Sequence, residues 1–281
     1  MLHPNAKVHH DRNSRTQFDW QTFQSHRACV MEVLSGLRRS FAPPASLMLL
    51  GVGNGNDVDL QQLAEDYSKV ILVDLDPIAV QRAIERVPLE ARQRFEIAAP
   101  MDVTGIIDRL PTDHDTTITD AQWMEIIQSA KSPELGLPLA DHVVSTCLLS
   151  QVVDSASFSI APNHPRYFEL LLAIRDGHLQ SLARLAKPSG LFTLITDFVS
   201  SETLPQMRDI DQADLEPLLI HAVNNRNFFT GMNPAVLQQK ISAANNPLVE
   251  SSVSHGIWRW KMGPKCFAVT AMTARRSSNK A

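Results

Sequence analysis

Short apolar runs alternate with amphipathic segments along the first part of the chain. Runs of strand length occupy residues 47–51 and 70–75, which are rich in Leu, Ile and Val, and residues 94–98, where Phe95 and Ile97 alternate with Glu96. Between them, residues 56–67 and 77–87 place apolar side chains at helical spacing. Because strands that alternate with helices form parallel sheets, this pattern predicts an α/β fold with a mostly parallel sheet.

The same alternation continues further along the chain. Residues 141–147 and 190–197 are predicted to be the fourth and fifth strands, with an amphipathic helix over 167–187 between them. Residues 251–260 and 266–274 alternate apolar and polar side chains, and the turn residues Gly263 and Pro264 separate them. These last segments predict two further strands that pair antiparallel, which gives seven strands with helices on both faces of the sheet.

The segment before the first strand is predicted to stand apart from this repeat. Residues 1–17 are polar and read as a loose arm, whereas 18–39 carry apolar residues at helical spacing. We therefore divide the chain into an N-terminal arm and helix at 1–40, a candidate lid that includes Arg12 and Arg15, and one domain at 41–281.

Two stretches of the larger domain are too long for simple connections. Residues 103–139 and 152–166 are predicted to be insertions, and the first contains a helix over 119–131 that prolines follow. No internal repeat is visible.

Composition excludes several classes of partner. The formal net charge is −4 and the basic residues are scattered, so we expect no nucleic-acid partner. No apolar run approaches the roughly 20 residues of a membrane span, and residues 1–15 lack the apolar core of a secretion signal. Three widely spaced cysteines form neither a disulfide framework nor a metal site. We expect a cytoplasmic enzyme without a metal, and the sequence leaves the oligomeric state open.

The strongest chemical signal is the glycine-rich turn after the first strand, in the sequence LMLLGVGNGND at residues 47–57. Glycine allows the sharp change from strand to helix and lets a ligand approach the backbone closely. We expect Asn56 and Asp57 to cap the following helix. Asp74 ends the second strand, where a carboxylate can accept hydrogen bonds from the ribose of a bound nucleoside.

The glycine spacing separates two kinds of nucleotide site. Dinucleotide folds use G-x-G-x-x-G, whereas Gly51, Gly53 and Gly55 form G-x-G-x-G, with Asn56 where that fingerprint has glycine. In this motif the chain resembles the class I S-adenosylmethionine-dependent methyltransferases, whose fold is Rossmann-like. Many members carry an acid two residues before the first glycine, and this chain has Leu49 there.

The resemblance extends over residues 47–197 and implies a cofactor pocket. Asp74 matches the ribose-binding acid of the family, and Asp102 matches the acid that often binds the adenine amino group. Residues 186–197 are similar to the turn and strand that follow an L-x-P-G-G motif, with Ser189 replacing one glycine. The residues expected to bind S-adenosylmethionine are Gly51, Val52, Gly53, Asn56, Asp57, Asp74, Leu75, Asp102, Val103, Thr146, Cys147 and Leu148.

The predicted reaction is methyl transfer by in-line displacement to an oxygen or nitrogen of a small-molecule acceptor. The fourth strand lacks the [D/N]-P-P-[Y/F] signature of enzymes that methylate base amines or glutamine, which favours a small acceptor. Candidate acceptor-site residues are Gln151, His164, Arg166 and Asp197, and the sequence identifies no catalytic base. An inactive cofactor-binding module, an aminopropyltransferase-like enzyme and an NAD-dependent enzyme are the alternatives.

Overall fold

One sheet contains all the strands of the computed structural model, which describes residues 4–112 and 118–278. The strands span Ser46–Leu50 (β1), Lys69–Val73 (β2), Phe95–Ala98 (β3), Ala140–Thr146 (β4), Ala186–Ser200 (β5), Val249–Met262 (β6) and Lys265–Arg276 (β7). Their order across the sheet is β3-β2-β1-β4-β5-β7-β6. The first five strands are parallel, and β7 runs antiparallel to both β5 and β6.

This topology confirms the predicted α/β fold. A mostly parallel, seven-stranded sheet with an antiparallel C-terminal strand is the Rossmann-like fold of the class I methyltransferases. The helices are Pro4–Thr16 (α1), Gln24–Arg38 (α2), Leu60–Asp66 (α3), Pro77–Glu85 (α4), Leu89–Arg92 (α5), Asp120–Lys131 (α6), Leu148–Ser157 (α7), Tyr167–Leu185 (α8), Gln212–Asn224 (α9) and Pro234–Lys240 (α10). Short 3₁₀ turns occupy Ile107–Arg109 and Pro205–Arg208.

Both faces of the sheet are buried, as the nearly continuous apolar runs of β1 and β2 predict. On β1, Met48 and Leu50 belong to one buried cluster and Leu47 and Leu49 to the other. The first cluster includes α6, α7 and α8, and the second includes α2, α3 and α4. The carboxyl ends of β1, β2, β4 and β5 therefore open between two helical layers.

A chain of side-chain hydrogen bonds crosses the sheet within this core. Both ring nitrogens of His142 on β4 form hydrogen bonds, Nδ1 with Tyr67 Oη at 3.0 Å and Nε2 with Thr193 Oγ1 at 2.9 Å. Thr193 continues to Thr273 Oγ1 at 2.8 Å, and Thr273 continues to His255 Nε2 at 2.9 Å. Burial lowers the pKa of His142 to about 3, so the ring is neutral in this chain of polar groups.

Three predictions for the N-terminal part of the chain were wrong. The residues expected to form a loose arm contain helix α1, and the helix predicted from residue 18 begins as α2 at Gln24. The helix after the glycine turn begins at Leu60, with Asp59 as its cap, because the Asp59 side chain accepts from Gln62 N at 3.1 Å. Asn56 and Asp57 therefore lie in the loop before it and do not cap it.

The inserted stretches are partly helical. Within 103–139 the structure has the 3₁₀ turn at Ile107–Arg109 and helix α6, whose Thr119 forms the capping box with Gln122. Residues 113–117 of this stretch lie outside the described residues. The second inserted stretch, 152–166, begins within helix α7, which ends at Ser157. The division into residues 1–40 and 41–281 stays a prediction.

Candidate functional site

A cavity of about 950 Å³ lies at the carboxyl ends of the parallel strands. This is the position at which open α/β sheets bind ligands. Its walls come from the glycine turn, the ends of β2 and β5, the first turns of α7, the hairpin between β6 and β7, and helix α1. Twelve of the predicted site residues line it: Gly51, Val52, Gly53, Asn56, Asp57, Asp74, Leu75, Asp102, Val103, Leu148, Gln151 and Asp197.

The glycine turn has a backbone that side chains would obstruct. Gly51 and Gly53 have φ of 80° and 49°, in the left-handed region that L-residues avoid. A Cβ atom on Gly51 would lie 2.7 Å from Leu148 Cβ, and one on Gly53 would lie 2.8 Å from Asn13 Oδ1. The glycines are therefore needed for close packing against α7 and α1 as well as for the turn itself.

Two arginines fix the far side of this turn. The Arg27 guanidinium donates to Asn56 O at 2.8 Å and lies 3.5 Å from the ring centroid of Trp20. Arg86 lies 4.7 Å from the same ring and donates to Asn54 O. Because Trp20 lies against both cations, the segment before α2 and helix α4 hold the turn in one position.

Asp74 is the carboxylate nearest to the glycine backbone. Its Oδ2 accepts from Gly53 N at 2.7 Å, and its Oδ1 accepts from Asp76 N at 2.8 Å. Burial raises the pKa of Asp74 to about 6, although both backbone hydrogen bonds act in the opposite direction. A carboxylate oxygen has two lone pairs, so each oxygen can still accept from a ligand hydroxyl group.

Asp102 has a structural role in addition to its place in the cavity wall. Its Oδ1 accepts from Thr104 N at 2.8 Å and from Thr104 Oγ1 at 2.6 Å, and its Oδ2 accepts from Ile107 N at 2.8 Å. The carboxylate thus caps the 3₁₀ turn Ile107–Arg109. Its predicted contact with an adenine amino group stays a prediction.

At the end of β4 the cavity wall differs from the prediction. Thr146 and Cys147 do not line the cavity, whereas Leu148 does. Cys147 adopts a left-handed conformation with φ of 48°, and its backbone N–H donates to Ile195 O at 2.8 Å. Its thiol is buried 3.9 Å from His26 Nε2, and burial raises its pKa well above the ordinary value, so it is not a reactive thiolate.

His164 and Arg166 were predicted near the acceptor and lie outside the cavity lining. Arg166 pairs with Asp120 at 2.8 Å and with Glu169 at 2.6 Å. The imidazole of His164 lies beside the Trp123 ring and accepts from the backbone N–H of Arg166 at 3.0 Å. Both side chains are therefore occupied in joining the loop before α8 to helix α6.

Asp197, at the end of β5, is the buried acid of the opposite wall. It accepts a short hydrogen bond from Ser150 Oγ of α7 and is 7% exposed. Burial raises the pKa of Asp197 to about 6. Nearby, Asp57 Oδ1 lies 3.1 Å from His26 Nε2, and His26 Nδ1 accepts from Trp258 Nε1 at 3.0 Å.

The N-terminal segment, a candidate lid from its sequence, covers the glycine turn as helix α1, and its helical form was not predicted. Asn54 Nδ2 donates to Asn13 O at 2.7 Å, and Asn56 Nδ2 donates to Thr16 O at 2.8 Å. On the other side of the cavity, Arg12 donates to Gln151 O at 3.1 Å and pairs with the carboxylate of Asp154. The helix was missed because its contacts are polar and leave no apolar stripe in the sequence.

Three aromatic rings form another wall that was not predicted. Phe23, Trp260 and Phe267 line the cavity, with Trp260 centred 5.0 Å from Phe23 and 5.3 Å from Phe267. The buried indole Nε1 of Trp260 has no hydrogen-bond acceptor among the described residues. Phe23 directly precedes α2, and the other two rings come from β6 and β7. The sequence did not predict the wall because these residues lie far apart in the chain, although the alternation of β6 is visible.

Residues 4–112 and 118–278 contain no group of three His, Cys, Asp or Glu side chains placed to hold a metal ion. Within the same ranges, no helix has the length and apolar character that crossing a bilayer requires.

Comparison with known proteins gives similarity in structure alone. No family model matches the sequence, and no curated protein matches it. The chain is similar to the YcgJ protein of Bacillus subtilis, with 10% identity, coverage of 89% of this chain and 100% of that one, and a TM-score of 0.45. It is also similar to an O-methyltransferase family protein from Burkholderia thailandensis (13% identity, 89% and 57% coverage, TM-score 0.41).

A further similar structure is TomG from Streptomyces achromogenes, an O-methyltransferase in complex with S-adenosylmethionine, with 12% identity, 88% and 78% coverage, and a TM-score of 0.37. At these identities and TM-scores, the similarities say nothing about the reaction of this chain. The function is inferred below from the cavity.

Proposed function

We propose that the protein is an S-adenosylmethionine-dependent methyltransferase that acts on a nitrogen or oxygen of a small-molecule acceptor. The observation that carries the proposal is the position of the Asp74 carboxylate, which lies against the glycine turn in the wall of a cavity. If the ribose hydroxyls of the cofactor donate to Asp74, the amino-acid part attached to the ribose would lie along the backbone of Gly51 and Gly53, which carry no side chains.

The residues present fit the adenosyl part of this cofactor. Next to Asp74, the apolar side chains of Leu75, Met101 and Val103 line the cavity and offer a slot for a flat ring. Asp102 lines the same part of the wall. Pockets for nucleosides commonly combine such apolar walls with a few polar groups that set orientation.

The cavity also argues against a dinucleotide. A pyrophosphate needs the free N–H groups of a helix N-terminus beside the glycine turn. Here α3 begins five residues after Gly55, and the carboxylate of Asp59 already caps it, accepting from Gln62 N at 3.1 Å. Asp59 does not line the cavity. Two negatively charged phosphates would instead face buried acids such as Asp74 and Asp197, which is unfavourable.

The chemistry requires positioning more than acid–base catalysis. S-adenosylmethionine supplies an activated methyl group on a sulfonium. The protein residues have to align the acceptor with it and exclude water, and such alignment alone can provide a large part of a rate enhancement. Helix α1 suits the second task because Asn13 and Thr16 on it bind the glycine turn and Arg12 binds α7.

Calorimetry with S-adenosylhomocysteine tests the proposal. We expect binding to the wild-type protein, and Asp74→Asn should lose about 1.5–3 kcal/mol of binding free energy through the weaker hydrogen bonds to a neutral amide. Asp59→Asn is the matched control, because it removes one charge beside the same turn and Asn caps helices as well as Asp. Its affinity should equal that of the wild type.

Two outcomes would contradict the proposal. One is the absence of binding by S-adenosylmethionine and S-adenosylhomocysteine at millimolar concentration. The other is a larger rise of the melting temperature with NAD than with S-adenosylhomocysteine, which would favour the dinucleotide alternative. If both ligands bind but a broad acceptor panel yields no methylated product, the protein is a binding module instead of an enzyme.

A further inference from the structure

The wall of the cavity opposite Asp74 is built from one face of the C-terminal strands. In the sheet register Asp197 on β5 is opposite Val269 on β7, and Val269 is opposite Trp258 on β6. Side chains directly opposite one another share a face, as do residues two apart along a strand. Asp197 therefore lies on the same face of the sheet as Trp260 and Phe267, and all three line the cavity.

Helix α2 packs over this face and completes an aromatic wall. Phe23 lies edge-on to Trp260, with ring centroids 5.0 Å apart, and His26 stacks on Trp260 at 4.5 Å with an interplanar angle of 22°. Phe229 reaches the same place, because its backbone N–H donates to Phe198 O at 2.7 Å and its ring is centred 6.5 Å from Phe267. The carboxylate of Asp197 thus lines the same cavity as rings from separate parts of the chain.

No ion pair among the described residues joins a cation to this carboxylate, which accepts a hydrogen bond from Ser150. Of the cationic side chains that line the cavity, Lys265 Nζ lies 2.6 Å from Glu202 Oε1, Arg12 pairs with Asp154, and Arg15 forms no ion pair with Asp197. His26, which acts to lower the pKa of Asp197, lies 3.1 Å from Asp57 Oδ1. Burial lowers the pKa of His9, which also lines the cavity, to about 4, so this ring adds no positive charge near neutral pH.

We propose that this part of the cavity binds the ammonium group of an amine acceptor, with Asp197 as the charged partner and Phe23, Trp260 and Phe267 as the aromatic wall. This inference rests on the proposed function and narrows its acceptor to an amine carried on an apolar or aromatic body. Aromatic faces attract cations through the ring quadrupole, and a desolvated carboxylate is favourable only when it is paired. An anionic acceptor would be repelled here, and a neutral hydroxyl group would leave Asp197 unpaired.

The protonation of Asp197 also suits an amine acceptor. The raised pKa of Asp197, about 6, makes it a better proton acceptor than an ordinary carboxylate. It can therefore take the proton that an ammonium group must lose before its nitrogen becomes a nucleophile.

Calorimetry on protein saturated with S-adenosylhomocysteine tests this inference with two probes, 2-phenylethylamine and 2-phenylethanol. They have the same aromatic body and differ in the charge of the head group. We expect the amine to bind at least tenfold more tightly than the alcohol. Asp197→Asn should weaken the amine at least tenfold and leave the affinities of the alcohol and of S-adenosylhomocysteine unchanged.

The matched control is Glu202→Gln, which removes a carboxylate from the same cavity that is already paired with Lys265. It should leave amine binding unchanged. If Asp197→Asn does not fold, Phe267→Leu serves instead, because it keeps an apolar side chain but removes the ring face. That variant should weaken the amine a few-fold and the alcohol less.

Three results would overturn the inference. One is equal affinity for the amine and the alcohol. Another is that neither probe binds to the protein saturated with S-adenosylhomocysteine. Alternatively, Asp197→Asn could weaken S-adenosylhomocysteine as much as the amine, which would assign the carboxylate to the ammonium group of the cofactor. Failure of the wild-type protein to bind S-adenosylhomocysteine at all is a different result, because it contradicts the proposed function on which the inference rests.

Discussion

The packing of Gly51 against Leu148 gives a quantitative prediction about the glycine turn. Gly51 has φ of 80°, and a Cβ atom there would lie 2.7 Å from Leu148 Cβ and 3.0 Å from its Cγ and Cδ2. A Gly51→Ala substitution therefore adds two costs. Placing an L-residue in the left-handed region costs about 1–2 kcal/mol, and overpacking a close contact costs about 1–3 kcal/mol.

Gly136 supplies the matched control, because it has φ of 62° and no heavy atom within 4 Å of the added Cβ position. Gly136→Ala should pay the backbone cost of about 1–2 kcal/mol alone. Alanine also restricts the unfolded chain, which stabilises both variants by about 0.4–1 kcal/mol and cancels in the comparison. We therefore expect Gly51→Ala to be less stable than Gly136→Ala by about 1–3 kcal/mol.

Urea denaturation followed by circular dichroism measures both free energies of unfolding, and calorimetry with S-adenosylhomocysteine measures the effect on the site. Gly51→Ala should also weaken binding, since Leu148 lines the cavity and has to move. Gly136→Ala should leave binding unchanged. Equal stabilities of the two variants would refute the reasoning, because they would mean that the turn does not pack tightly on α7.

Three further predictions concern buried polar groups and helix α1. Burial lowers the pKa values of three histidines to about 4, 3 and 4 (His9, His142 and His178). Unfolding therefore takes up protons below pH 6.5, and the stability that these residues contribute is present above that pH and is lost as the pH falls toward 4. Two carboxylates with raised pKa values of about 6 act oppositely between pH 6 and 3.8 (Asp74 and Asp197). The histidines outnumber the carboxylates, and the lowered pKa values of His255 and Asp141 act in the same direction as those of the histidines, so urea denaturation should show a loss of stability on acidification below pH 6.5. A flat profile would contradict it. Thr193→Val, which leaves His142 and Thr273 without their shared partner, should cost about 1–3 kcal/mol of unfolding free energy, whereas an unchanged melting temperature would exclude this hydrogen-bond chain. Arg12→Ala should speed the dissociation of S-adenosylhomocysteine in a stopped-flow chase, because α1 loses its hydrogen bonds to α7; an unchanged rate would show that α1 does not retain the ligand.

The parts of the fold that were predictable depend on local signals. The strands were visible because both faces of the sheet are buried, so β1 and β2 are apolar along nearly their whole length. Asp76 followed by Pro77 is a local signal typical of a helix N-terminus, and Asp76 Oδ1 accepts from Ile78 N at 3.0 Å. Ser189, which stands where the resembling motif has glycine, has the positive φ of 63° that a glycine would favour.

The parts that were missed depend on contacts between residues far apart in the chain. Helix α1 was taken for a loose arm because asparagine and arginine side chains hold it, and polar contacts leave no periodic pattern. The sequence predicted His164 and Arg166 to be acceptor-site residues, whereas the structure places them against α6. Asp74 likewise contributes to folding as well as to the candidate ligand site, because its carboxylate accepts from two backbone N–H groups far apart from one another in the chain.

A crystal structure of the complex with S-adenosylhomocysteine tests the central claim most directly. We expect the ribose hydroxyls to lie within hydrogen-bond distance of the Asp74 carboxylate and the amino-acid part of the ligand to follow the Gly51 and Gly53 backbone. The sulfur should face the wall that contains Asp197. Density for the ligand elsewhere on the protein, or in this cavity with the ribose away from Asp74, would contradict it.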